Sequence, residues 1–75
     1  MSKLKLFTAT WCEPCKNLKG RIVDEGLAWK VALLDIDDFA SEAAEIGVRS
    51  LPTLVVEEQV VTGVEIILTK IREVE

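Results

Sequence analysis

Cys12 and Cys15, separated by two residues, are the side chains of this 75-residue sequence best suited to chemistry. If the segment opens a helix, their Cα atoms lie about 5 to 6 Å apart, inside the window that disulfide geometry accepts. A bridge between them then forms and breaks with little motion. Closing so short a loop removes little entropy from the unfolded chain, so the pair makes poor scaffolding. Orphan N–H groups and the positive end of the helix dipole favour a thiolate at the helix start. Cys12 is therefore expected to ionise more easily than a free thiol at about 8.5 and to be the nucleophile. Cys15, one turn further in on the apolar face with Leu18, is expected to keep its proton through desolvation and to be the resolving thiol. Attack by Cys12 on a substrate disulfide gives a mixed disulfide that Cys15 resolves, and no cofactor is needed.

The residues around the pair modulate it. Pro14 fits the first turn of a helix, where its missing N–H costs nothing and its fixed φ stiffens the loop. It serves equally as an ordinary helix-start proline. The charge of Glu13 opposes a thiolate at Cys12 while Lys16 favours it, and the sequence does not decide between them. Two cysteines at this spacing are also half of a zinc site. With no histidine and no further cysteine, a tetrahedral site needs ligands from carboxylates or from a second chain.

Periodicity supplies elements to position the pair. Leu4, Leu6 and Phe7 mark a buried strand over Lys3 to Thr8. Cys15, Leu18 and Ile22 share one helical face, with Gly26 as a stop and Gly20 lowering the propensity. The run Ala28 to Ile36 suits a central strand covered on both faces. Asp37 and Asp38 offer N-cap chemistry to a short helix through Phe39, Ala43, Ala44 and Ile46, which Gly47 ends. Thr53 to Glu57 and Gln59 to Thr62 read as a hairpin. After Gly63 the spacing of Val64, Ile67, Leu68, Ile71 and Val74 predicts an amphipathic helix, with Ile66 off the stripe. The expected fold is α/β in the order β-α-β-α-β-β-α. It forms one domain over residues 1–75, with a four-stranded mixed sheet and helices on both faces.

Composition narrows the function. The sequence is 49% hydrophobic and 29% charged, rich enough to bury a core. Its net charge of −4 with scattered Lys and Arg provides no basic stripe for nucleic-acid phosphates. The longest apolar run, Val31 to Leu34, is far short of the roughly 18 residues of a membrane span. Lys3 and Lys5 interrupt any signal-peptide core. Two closely spaced cysteines are unlike the several bridges of a small secreted domain. A cytoplasmic protein is expected, without nucleic-acid or membrane partners.

Phe7, Ala9, Trp11-Cys12-Glu13-Pro14-Cys15-Lys16 and Val48-Arg49-Ser50-Leu51-Pro52-Thr53-Leu54 together resemble the thioredoxin family over nearly the whole chain. The resemblance implies a minimal thioredoxin fold and a thiol-disulfide oxidoreductase that reduces protein disulfides. It implies that the Leu51–Pro52 bond is cis and faces the sulfurs, and that backbone at Leu51 pairs with substrate like an added strand. Trp11 matches the family's tryptophan beside the first cysteine, which shields the site and helps dock substrate; simple packing is the alternative. Trp29 has no counterpart and is assigned a structural place in the second strand or its approach.

Three departures from the family pattern matter. Thioredoxins usually carry a buried Asp on the first strand and a Lys on the central strand, thought to manage the resolving thiol's proton; Leu6 and Leu33 stand there. Cys15 is then expected to lose its proton to water or to a nearby surface carboxylate, with slower resolution or a shift to higher pH. The chain also starts at the first central strand, like glutaredoxins and small redoxins, and Glu13 replaces the commoner glycine. Because Thr62-Gly63-Val64-Glu65 does not reproduce the glutaredoxin segment that holds glutathione, thioredoxin reductase is favoured over glutathione as electron donor. The implied partners are disulfide-containing proteins, ribonucleotide reductase among the candidates, acted on by a monomer. The alternatives are a glutathione-dependent glutaredoxin-like reductase and a non-catalytic binding module, including two chains sharing zinc.

Overall fold

A computed structural model describes residues 4–57 and 59–74 of the chain. Strand β1 (Leu4–Thr8) leads into helix α1 (Glu13–Asp24), and a short 3-10 turn over Ala28–Lys30 precedes strand β2 (Val31–Asp35). Helix α2 (Ala40–Ile46), strands β3 (Thr53–Val56) and β4 (Gln59–Thr62) and helix α3 (Val64–Glu73) complete the chain. The sheet order is β2-β1-β3-β4. β1 runs parallel to β2, antiparallel to β3, and β3 to β4 is an antiparallel hairpin. The α/β class and element order expected from sequence are those observed.

Apolar periodicity explains which helix covers which face. Cys15, Leu18 and Ile22 are the buried residues of α1, and Ile67, Leu68 and Ile71 those of α3. Leu18, Ile22 and the α3 trio form one core with Leu4, Leu6, Val31 and Leu54. On the opposite face Ala43 of α2 packs with Phe7 and Val55, joined by partly buried Leu34, Ile36, Ile46 and Val48. Each large aliphatic side chain fully removed from water contributes about 1.5 to 3 kcal/mol, against at most about 1 kcal/mol for an exposed ion pair. The core therefore outweighs the surface links of α3, although these are well placed. Arg72 holds Glu25 through two hydrogen bonds of 2.7 Å. Arg21 pairs with Glu65. Lys30 Nζ donates to the carbonyl oxygens of Val74 (2.6 Å) and Ile71 (3.4 Å), closing the C-terminal end of α3. Gly47 ends α2 at φ +98°, a left-handed conformation that a β-carbon strains.

The structure differs from the sequence reading in several places. The run Ala28 to Ile36 is not a central strand: β2 covers only Val31–Asp35 and lies at the sheet edge. Its apolar residues suggested cover on both sides, yet Leu33 is 52% exposed, because at this edge of the sheet it packs into none of the core clusters. Trp29 sits in the approach to β2 but is exposed, its ring under Lys30 Nζ at 5.4 Å. Neither Asp37 nor Asp38 caps α2. Phe39 is the N-cap residue with no side-chain cap bond, while the Asp35 carboxylate accepts the Asp37 N–H at 2.9 Å. The hairpin's first strand ends at Val56, and Glu57 turns with φ +57°. The expected strand start at Lys3 lies outside the described residues.

Leu6 and Leu33 are register partners across β1 and β2, but only Leu6 is fully buried. Leu6→Ala is expected to cost about 2 to 5 kcal/mol and Leu33→Ala less than about 1 kcal/mol, as read from urea unfolding. Equal losses would place β2 under cover that the fold does not provide.

Candidate functional site

The candidate site forms where β1 ends and α1 begins. The Cys12 N–H donates to Ala9 O at 3.3 Å, turning the chain out of the sheet, and the Lys16 N–H donates to Cys12 O at 3.1 Å, starting the helix. Cys12 is the N-cap residue of α1, in extended conformation, with proline in the helix's first two positions. Ala9, Cys12 and Cys15 pack together against partly buried Ile36 and Leu51. Both cysteines are free thiols.

The two sulfurs stand in different surroundings. Cys12 lines a groove of about 280 Å³ walled by Trp11, Ile36, Val48, Arg49, Ser50 and Leu51. Cys15 lies behind it at 0% exposure. Burial pushes the Cys15 thiol up to about 11, reinforced by a hydrogen bond with Cys12. A backbone hydrogen bond at Ala9 and the cation of Lys19 act in the opposite direction. The Cys12 Sγ donates to Leu51 O at 3.8 Å, a sulfur bond that ties the loop before β3 to the helix start. That loop is itself closed by a hydrogen bond from Thr53 Oγ1 to Ser50 O, and the Leu51–Pro52 bond is cis.

The thioredoxin family model matches residues 3–69. The chain belongs to the thioredoxin family. A thioredoxin of Staphylococcus haemolyticus is 41% identical over 59 residues, covering 72% of this chain and 56% of that protein. Thioredoxin H4 of Arabidopsis thaliana is 36% identical over 56 residues, covering 65% of this chain and 44% of that protein. This chain thus spans about half the length of the relatives it matches. Among solved structures, Malassezia sympodialis thioredoxin (Mala s 13) superposes with a TM-score of 0.64 at 28% identity, covering 93% of this chain and 71% of that one. Oxidised thioredoxin of Plasmodium falciparum, at 19% identity, shares the fold with a TM-score of 0.64 and covers 93% and 77%.

In this chain the residues singled out from sequence separate into three groups. Trp11, 67% exposed, Cys12 and Leu51 meet at the groove. Cys15 and Pro52 are buried, and Pro52 does not line the groove. Glu13, Pro14 and Lys16 are exposed on the first turn of α1. Glu13 and Lys16 pair with each other at 3.5 Å, so the opposed influences read from sequence meet in one exposed ion pair.

Sequence reasoning missed Ile36, Val48, Arg49 and Ser50 as groove walls. The last three lie in the Val48-to-Leu54 segment that carries part of the family resemblance, and their proximity to Leu51 is the available signal. Ile36 carried none, since it read as the end of a strand. Among the described residues no group of three or more His, Cys, Asp or Glu is placed to hold a metal ion. No helix among them is long and apolar enough to cross a membrane.

Proposed function

We propose that this chain is a protein-disulfide reductase cycling between a Cys12/Cys15 dithiol and a disulfide. The supporting observation is the asymmetry of the pair, with Cys12 on the groove at a helix start and Cys15 sealed one turn behind it. The Cys12 thiolate attacks one sulfur of a substrate disulfide; that S–S bond breaks and the leaving sulfur takes up a proton. Cys15 then loses its proton and attacks Cys12 Sγ, expelling the second substrate sulfur as a thiol. Two electrons pass from the chain to the substrate, leaving a Cys12–Cys15 disulfide.

Trp11 and Leu51 form the docking surface for an extended substrate segment, backbone at Leu51 pairing with it as β-augmentation does. Pro52 supports that loop from below, while Glu13, Pro14 and Lys16 modulate the helix start. One chain holds both sulfurs and the groove, so a monomer suffices. The proposed donor is a thioredoxin reductase. Insulin reduction is expected with NADPH and thioredoxin reductase and to be far slower with NADPH, glutathione and glutathione reductase. The reverse order assigns a glutathione-driven reductase. No reduction in either system, with stoichiometric metal in the purified protein, assigns a non-catalytic module.

A further inference from the structure

We infer that Arg49 selects substrates bearing a carboxylate beside the reactive cystine, an inference that rests on the oxidoreductase reading above. Most other cations of the described residues are engaged. Lys5, Lys16, Arg21, Lys70 and Arg72 sit in ion pairs, and Lys30 binds the carbonyls that end α3. Among the described residues only Lys19 and Arg49 have no acceptor, and of these two Arg49 alone lines the groove with Cys12. Its neighbours there, Ile36, Val48 and Leu51, are apolar and partly buried.

An unpaired guanidinium on an apolar wall beside the attacking sulfur presents a planar fork of donors that matches a carboxylate. The net charge of −4 opposes acidic substrates at long range. At physiological salt, however, charges beyond about 8 Å are screened, whereas Arg49 meets the bound segment at contact. Its short-range attraction therefore decides. Glu13, the acid nearest Cys12 in sequence, is already neutralised by Lys16. Arg49 is the one charged side chain among the described residues that line the groove, and it stands on one wall of it, so an acid is favoured on one flank of the cystine only.

The test uses paired cystine peptides that differ in one flanking residue, Glu or Lys, placed in turn on each side. The readout is the ratio of kcat/KM for Glu over Lys within each protein, which does not depend on basal activity. The wild-type ratio is expected to be about two- to five-fold on one flank, the size an exposed ion pair supplies, and to collapse toward one in 1 M salt, where the screening length is about 3 Å. R49Q flattens the ratio and R49E inverts it. A second readout needs no turnover: in the Cys15→Ser chain, the rate of Cys12 alkylation by anionic iodoacetate relative to neutral iodoacetamide falls in R49Q.

A wild-type ratio of one on both flanks, or a ratio that survives in R49E, overturns the inference. So does an R49Q effect confined to reduction of oxidised glutathione, which would assign the carboxylate to that tripeptide. A chain that reduces neither peptide, yet still loses its iodoacetate preference in R49Q, removes the oxidoreductase reading and supports the anion subsite.

Discussion

Cys12→Ser is expected to lower insulin reduction by about a thousand-fold or more, because an oxygen at that position cannot carry thiol-disulfide exchange. Cys15→Ser should stop turnover just as completely but at a later stage. The first attack proceeds in that chain, since Cys12 still faces the groove, and with no second sulfur behind it the mixed disulfide persists. Incubation of each variant with a cystine peptide, followed by intact mass under non-reducing conditions, separates the two cases. Cys15→Ser gains the mass of the peptide thiol and loses it on treatment with dithiothreitol, while Cys12→Ser gains nothing. An adduct on Cys12→Ser would reverse the assigned roles, which the burial of Cys15 argues against.

The second large effect concerns pH and belongs to the resolving step. Burial favours the neutral thiol, so the Cys15 proton leaves only as pH rises toward about 11. The thiolate fraction then grows about tenfold per pH unit, or roughly a hundred-fold from pH 7 to pH 9. In the mixed disulfide the hydrogen bond to the Cys12 thiol is gone but burial, the larger cause, remains. The profile therefore levels below about 11 while staying above the ordinary thiol range. The cation of Lys19 eases this ionisation, and Lys19→Gln should slow resolution at pH 7 and move the rise to higher pH. Stopped-flow release of the second thiol from a preformed mixed disulfide measures the profile. A rate that is fast and flat between pH 6 and 8 would refute it. The same shift has a stability consequence with a definite sign. The neutral buried thiol stabilises the reduced fold below the unfolded thiol's range, and that contribution is lost as pH climbs toward about 11.

Two leucines bear on how the Cys15 proton could be relayed. The positions at which the family resemblance implies an acid and a lysine hold Leu6 and Leu33, which are direct register partners across β1 and β2. Leu6 is completely buried and Leu33 half exposed, so an apolar pair stands where a proton relay is expected. Burial, Cys12, the Ala9 backbone and Lys19 act on Cys15; a carboxylate is not among these influences.

Local pattern was enough for much of this protein. The cysteine spacing before an apolar stripe of Cys15, Leu18 and Ile22 determined α1 and which sulfur lies deeper, Cys15 at 0% exposure against 7% for Cys12, because a helix repeats every 3.6 residues. The stripe of α3, the exposure of Ile66 on its outer side and the glycine that ends α2 were legible for the same reason. What tertiary structure alone decided was adjacency. The run Val31 to Leu34 records that its residues are apolar, not how many strands flank them, and the sheet places β2 at an edge with Leu33 half exposed. The aspartates before α2 have capping chemistry, but the backbone puts Asp35, at the end of β2, within reach of the Asp37 N–H instead. The groove itself joins the start of α1, the end of β2 and the loop before β3. These segments are distant in sequence, and only the folding of the sheet and α2 sets Arg49 and Leu51 beside Cys12.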